Sequence, residues 1–291
     1  MTPIVTGTLL AIASNILFSL LFFYGKWLEP LSGSDIFAWR MFSMFPCLLI
    51  SVGVSMSWRD VRAYARSLTK KQWVGVVASA PIMVGQMWLF MWSPVNGYGI
   101  DVAMGYFLFP LFLMLGGMVV FGERPNRAQR VATCLALCGV ALEMLYQGKI
   151  SWVSASIFLT YPVYYLFRRY LGVPAVLGLL FDIALIFPFV VVYLVYFSPS
   201  VALLEMEPSK GWWVLLLGAH SVLAMQLNLR ANGLLPVVLF SMLSYLEPAL
   251  LFVVSVVFLG EILTFKALLS YGLIWLGIVV MLMDTLATRG R

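Results

Sequence analysis

The 291-residue chain is 63% hydrophobic and only 10% charged, against roughly a quarter charged in soluble domains. That composition excludes a soluble globular enzyme, because apolar runs of about 20 residues, enough to cross a bilayer as a helix, follow one another along the chain. The formal charge of +6 lies in short breaks between those runs and not on a basic face, which excludes nucleic acid as a partner and makes the charge a signal of topology.

In chain order the apolar runs predict spans at 3–24, 35–56, 72–92, 100–121, 128–146, 150–168, 174–196, 212–230, 235–259 and 266–284. The expected fold is an all-α polytopic membrane protein of ten transmembrane helices. The first run opens at Ile4 with no basic segment before it and no cleavage site after it, so it reads as a retained helix and not a signal peptide. Cys47, Cys134 and Cys138 all fall inside spans. Their expected role is packing, since a disulfide framework or metal site needs more ligands and other spacings.

Between spans two and three, Ser57 to Lys71 reads "SWRDVRAYARSLTKK". It is either a charged loop that fixes orientation, the reading favoured here, or a short amphipathic helix for anionic lipid or a partner. Placing both termini on one side gathers Arg59, Arg62, Arg66, Lys70, Lys71, Arg124, Arg127, Arg130, Arg168, Arg169, Arg230, Arg289 and Arg291 there. Lys26, Lys149, Lys210 and Lys266 fall on the other side, and Arg40 lies inside a span. Positive charge stays inside, so both termini are expected in the cytoplasm.

The span patterns repeat. "GYFLFPLFLMLGGMVVFGE", Gly105 to Glu123, aligns with "LSYLEPALLFVVSVVFLGE", Leu243 to Glu261, bringing Pro110 onto Pro248 and Gly122-Glu123 onto Gly260-Glu261. "RMFSMFP", Arg40 to Pro46, aligns with "DIALIFP", Asp182 to Pro188. Two five-helix halves, 1–147 and 148–291, follow from this, and an odd number of spans per half inverts the second copy. Inverted repeats are a common transporter plan, with the substrate held near the midplane by interrupted helices. Pro248 follows a carboxylate, Glu247, in mid-span. A proline removes a backbone donor and frees a carbonyl one turn earlier, and such backbone survives at membrane depth only inside protein or beside water.

The same residues resemble the drug/metabolite transporter superfamily of EamA type, in its RarD-like branch. The block "GYFLFPLFLMLGGMVVFGERPNRAQRVATCLALCGV", Gly105 to Val140, looks like that branch's signature over spans four and five. "WLFMW" at Trp88 to Trp92, "SDIFAWR" at Ser34 to Arg40 and "YGLIWLGIVVMLMD" at Tyr271 to Asp284 resemble it too. "YLEPALLFVVSVVFLGE" is closer to the wider EamA pattern. The resemblance covers nearly the whole chain and implies ten helices, a central cavity and alternating access. Glu247 departs from the small residue expected in that branch, and Asp101 and Asp182 stand where it more often has glutamate, which leaves the cargo open.

Residues at midplane depth are the candidates for substrate contact: Asn15, Gln86, Tyr106, Phe109, Tyr161, His220, Ser244, Tyr245 and Glu247. A layer of apolar and aromatic groups with a few polar ones suits a small-molecule pocket. Glu247 could carry a proton, since burial raises a carboxylate's pKa. It could instead meet a cationic group of the cargo, or link helices as a neutral acid. Arg40 and Asp182, at equivalent places in spans two and seven, suggest a gating pair, although Asp35 could neutralise Arg40 locally. Asp101 joins them as a coupling candidate.

The expected function is secondary transport of a small organic metabolite or drug-like molecule in a bacterial-type inner membrane. Small substrate and membrane lipid are the expected partners, with no cofactor and no metal. No P-loop motif is present for ATP. The alternatives are a membrane-embedded lipid-modifying enzyme, for which the nucleophile-base or metal cluster is not evident, and a passive channel or scramblase.

Overall fold

The computed structural model describes residues 2–21, 24–147, 151–250 and 265–287, and among them every regular element is a helix. In chain order these are α1 Pro3–Leu21, α2 Tyr24–Trp27, α3 Gly33–Ser55, α4 Trp58–Ser67, α5 Lys70–Val95, α6 Gly99–Phe121 and α7 Arg127–Gln147. They continue with α8 Trp152–Leu171, α9 Ala175–Tyr196, α10 Ser200–Met206, α11 Pro208–Leu234, α12 Val237–Ser244 and α13 Phe265–Ala287. Hydrocarbon offers a backbone no hydrogen-bond partner, so a chain this apolar satisfies itself internally as helices.

Among the described residues seven helices are long and apolar enough to cross a membrane: α1, α3, α5, the greater part of α6, α7, α9 and α11. The run expected at 150–168 forms α8, which carries Arg168 and Arg169 in its last turn and falls outside the seven. The run expected at 235–259 is not one helix. α12 stops at Ser244, Tyr245 makes a turn, and helix resumes over 246–250. The rest of that run lies outside the described residues, as do Lys149, Gly260, Glu261, Arg289 and Arg291.

Local chemistry sets the starts. Ser32 caps α3 by accepting from Asp35 N, and Thr69 with Gln72 forms a reciprocal capping box at the head of α5. These side chains occupy amides that would otherwise lack a partner. Ser57 likewise caps α4, so Ser57 to Lys71 is largely helical where a charged loop was favoured. Its Val61 is buried while most of its charged residues are exposed.

The described chain forms two compact units. The first holds residues 1–19, 100–166 and 231–291, and the second holds 20–99 and 167–230, so each draws on both sides of residue 147. Within the first, α7 packs along α13, and both meet α12. Cys134 and Cys138 on α7 are exposed, which corrects the packing role expected of them. Within the second, α3, α5 and α9 pack on one another. Phe45 and Phe187 stack there with ring centroids 4.3 Å apart, and Phe42 stacks on Phe187 at 5.8 Å.

One end of α3 is tied to one end of α9 by a buried carboxylate. Asp35, only 4% exposed, accepts from Ser32 Oγ at 2.6 Å, from Tyr193 OH at 3.2 Å and from Ser198 Oγ. Ser198 also bonds Ser200, whose hydroxyl accepts Trp39 Nε1 at 2.8 Å. Asp35 is thus engaged in this network, whereas the sequence offered it as a local neutraliser of Arg40. Removing a buried acceptor strands its donors, at about 1–3 kcal/mol for each unsatisfied group. Asp35→Ala should therefore lower stability by about 3 kcal/mol and Asp35→Asn by less, measured by thermal unfolding in detergent. Equal melting temperatures for the three proteins would refute the tie.

Candidate functional site

The first unit assembles most of the predicted residues around the break after α12. A helix carrying Pro248 lacks the amide that would close the preceding turn, and carbonyls there need other donors. Asn15 of α1 supplies one, its Nδ2 reaching Leu243 O at 3.1 Å and Ala11 O at 2.8 Å. Ser19, one turn along α1, donates to Glu247 O at 3.4 Å. Ser244 folds its hydroxyl back to Phe240 O at 3.0 Å. Asn15, Ser244, Tyr245 and Glu247 are all buried, at 1%, 7%, 1% and 9% exposure.

Two polar atoms at this break find no partner among the described residues. The Asn15 Oδ1 and the Tyr245 hydroxyl are buried and have no hydrogen-bond partner among the described residues. Leaving such atoms dry costs about 1–3 kcal/mol each; the Asn232 Oδ1 of the same unit is likewise buried with no hydrogen-bond partner among the described residues. Pro110, the repeat partner of Pro248, behaves differently: α6 runs through it without interruption.

Beside the break lies a wall of rings. Tyr161 of α8 packs against Phe109 at 5.0 Å and edge-on to Tyr106 at 6.4 Å, both on α6. Tyr165, one turn further along α8, donates to the Tyr161 hydroxyl at 3.3 Å and packs against Phe109 and, on α12, Phe240. The Glu247 carboxylate is near enough to Tyr165 to act on it electrostatically. The sequence missed Tyr165 and Phe240. Tyr165 stands one helical turn from Tyr161 and was open to inference, while Phe240 carried no mark among many apolar neighbours. Asp101 lies half-buried in the first turn of α6, where a carboxylate suits the helix dipole, and its backbone carbonyl accepts from Ser154 Oγ at 2.6 Å.

The second unit holds the remaining predictions. His220 Nδ1 lies 3.4 Å from the Tyr24 hydroxyl, and the two rings meet edge-on. Gln86 is 3% exposed on α5. Arg40, buried at 2%, donates through Nε to Ser221 Oγ at 2.8 Å and lies over the Phe90 ring. Asp182 is fully buried and forms an ion pair with Arg168. Sequence reasoning counted Arg168 only as a topology charge. The signal was its spacing, since Gly172 and Pro174 turn the chain back and bring α9 beside the end of α8. Two adjoining cavities of about 240 and 410 Å³ sit between α3, α5 and α9. They share Phe37, Trp88, Ile186 and Phe189, and Asp182 borders the larger.

Among the described residues no three of His, Cys, Asp and Glu come together as a metal-binding group. What this arrangement can do is hold a small molecule: it offers rings, a carboxylate, and two buried polar atoms beside interrupted backbone.

Comparison with known proteins agrees with this chemistry. Residues 5–145 match the EamA-like transporter family. An uncharacterized transporter of Haemophilus influenzae is 36% identical over 100% of this chain and 98% of its own length. The chloramphenicol-sensitive protein RarD of Pseudomonas aeruginosa is 35% identical over 94% of this chain and 92% of its own. A solved crystal structure covers 94% of this chain and 97% of its own with a TM-score of 0.67 at 19% identity, a likeness of fold alone. The chain therefore belongs to the EamA-like transporter family, as a RarD-like multi-pass membrane protein.

Proposed function

We propose that the chain is a secondary active transporter that moves a small organic metabolite or drug-like molecule across a bacterial-type inner membrane by alternating access. The observation that carries this reading is the pair of buried, unsatisfied atoms, Asn15 Oδ1 and Tyr245 OH, at the break between α12 and Glu247. A substrate with a donor for the amide oxygen and an acceptor for the phenol would satisfy both, and Tyr161 and Phe109 would supply its apolar contact. Gln86 and His220, in the second unit, remain candidates for substrate contact. Glu247 is the carboxylate through which a proton gradient would couple, since an ionisable group buried within a membrane segment is a candidate proton carrier.

Two inverted halves are supported by the stacking of Phe45 on Phe187, which the sequence alignment makes equivalent. Symmetry-equivalent residues touch only close to the axis that relates them, so α3 and α9 would lie along it. Ten spans with both termini in the cytoplasm follow the charge bias. Reporter fusions after Lys71 and after Gly97 are expected to report cytoplasm and exterior respectively; the reverse result would invert the orientation.

The gating assignment shifts from Arg40 with Asp182 to Arg168 with Asp182. Breaking a buried ion pair on one side costs about 3–5 kcal/mol, whereas replacing both partners by apolar residues is often neutral. Asp182→Asn should lower the melting temperature, and Arg168→Met with Asp182→Leu should restore it. If the pair gates, the double variant regains stability and stays slow in transport; full transport in the double variant would make the pair purely structural.

The decisive measurement begins with a thermal-shift screen of purified protein against amino acids, amines, nucleosides and aromatic antibiotics, because a binder stabilises the folded form according to its occupancy. The compound with the largest shift is then followed in vesicles under a proton gradient. Glu247→Gln should reduce gradient-driven uptake roughly tenfold or more while leaving the protein folded, the behaviour of a group needed for turnover. Wild-type uptake in that variant would remove Glu247 from the mechanism.

A further inference from the structure

We propose that Glu123 is a latch on α12, a positioning residue that fixes and releases the short helix leading into the break. The part of this proposal that concerns transport rests on the reading that Ser244, Tyr245 and Glu247 meet the substrate. The latch itself rests only on geometry within the first unit.

α12 cannot cap its own start. It begins behind Pro236, whose side chain makes no cap hydrogen bond, and the first amides of a helix have no intrahelical acceptor. Glu123 supplies the acceptors for the first two of them: Oε1 takes Val237 N at 2.8 Å and Oε2 takes Val238 N at 2.9 Å. It reaches them from beyond the end of α6, where Gly122 turns the chain with a φ of +65°, a conformation that disfavours residues with a Cβ. Gly117 lets α6 approach closely, since a Cβ there would stand 2.7 Å from the Val237 Cβ. The Glu123 amide donates back to Gly117 O at 3.4 Å.

All eight residues of α12 are buried, and both of its ends are held by side chains of other helices. Asn15 holds the Leu243 carbonyl at the far end, and Glu123 holds the near one. Such a segment is a short rod between two clasps, with the candidate site directly after its far end. The Glu123 clasp is one carboxylate on two amides, charge-assisted and aligned with the helix dipole. Because a single side chain makes both bonds, one rotamer change releases them together. Glu123 is itself half-buried, so water can reach the carboxylate and take over when the clasp opens. Release would free α12 to tilt at the Glu123 end while Asn15 holds the other.

Hydrogen exchange followed by mass spectrometry on the full-length protein in nanodiscs tests the clasp directly. The amides of Val237 and Val238 should exchange slowly in the wild type and about tenfold faster in Glu123→Gln, which presents an amide donor to one of the two backbone donors. Val237→Pro removes one of the two donors at a helix position that tolerates proline, and should speed exchange at Val238 in the same direction without altering any charge. This second variant keeps the test alive if Glu123→Gln does not fold. Unchanged exchange at Val238 in either folded variant overturns the latch.

The bearing on transport is read separately, with Cys47, Cys134 and Cys138 replaced by serine and a single cysteine at Ser244. A membrane-impermeant maleimide should label Ser244→Cys about tenfold faster from the Glu123 side of the membrane when Glu123→Gln is added, and no faster from the opposite side. A cap that merely stops fraying would alter exchange at Val237 and Val238 and leave labelling at Ser244 unchanged, and that result overturns the link to the site. Labelling that rises equally from both sides overturns it as well. Wild-type uptake in Glu247→Gln together with fast exchange in Glu123→Gln would locate the error in the site reading and leave the latch standing.

Discussion

The structure depends on one constraint: within hydrocarbon, each backbone amide and carbonyl needs a partner supplied by protein. Unbroken helices meet it largely within themselves, and α6 stays helical through Pro110 at the loss of one such bond. Where the chain stops being helical at Tyr245, other helices meet it instead. Asn15 and Ser19 of α1 donate to the carbonyls of Leu243 and Glu247, and Glu123 accepts the amides at the other end of α12. An interrupted helix in a membrane is therefore never a local feature. It recruits polar side chains from neighbours, and those residues become coupled to whatever happens at the interruption.

Buried charge follows the same logic. Asp35, Arg40 and Asp182 are each almost wholly removed from solvent, and each is engaged by specific partners: three hydroxyls for Asp35, Ser221 and the Phe90 face for Arg40, and Arg168 for Asp182. An unpaired ion at such depth would neutralise or leave. Partners of this kind fix how neighbouring helices sit within one unit. They also make breaking an ion pair such as Arg168 with Asp182 a discrete event, since half a pair is far less stable than either a whole pair or none.

Some of this was legible in the sequence, and the divide has a physical cause. Helix positions follow from runs of apolar residues, a property of each segment alone, so most expected spans appear within a few residues of their helices. Pro248 announced a break because proline's missing donor is intrinsic to the residue. Asn15 was singled out for its depth, but its role at Leu243 was not readable, because the contact joins residues 228 positions apart. Glu123 was noticed only as a marker of repeat register. Its function depends on Pro236 lacking a cap, a relation between two segments. Arg168 was misjudged for the same reason: charge bias treats each arginine as a count, and burial beside Asp182 is a matter of packing. The helical form of Ser57 to Lys71 was underweighted because Ser57 and Asp60, good start signals for a helix, lay in a stretch read for charge.

The break also explains how a carboxylate can be buried within an apolar stretch of this chain. A glutamate on an intact, lipid-facing helix carries a cost of about 2.5–3.5 kcal/mol on insertion scales, with nothing nearby to offset it. At Glu247 the offset is already present, because the interruption has drawn in Asn15 and Ser19 to serve the backbone. Polar groups gathered to satisfy a carbonyl lower the cost of the next polar group placed beside them. A proline thus comes first in the physical argument and the carboxylate second: the broken backbone creates a polar interior, and the acid exploits it. Pro110 is consistent with this order, since α6 stays helical there and the positions before it, Phe107, Leu108 and Phe109, carry no charge.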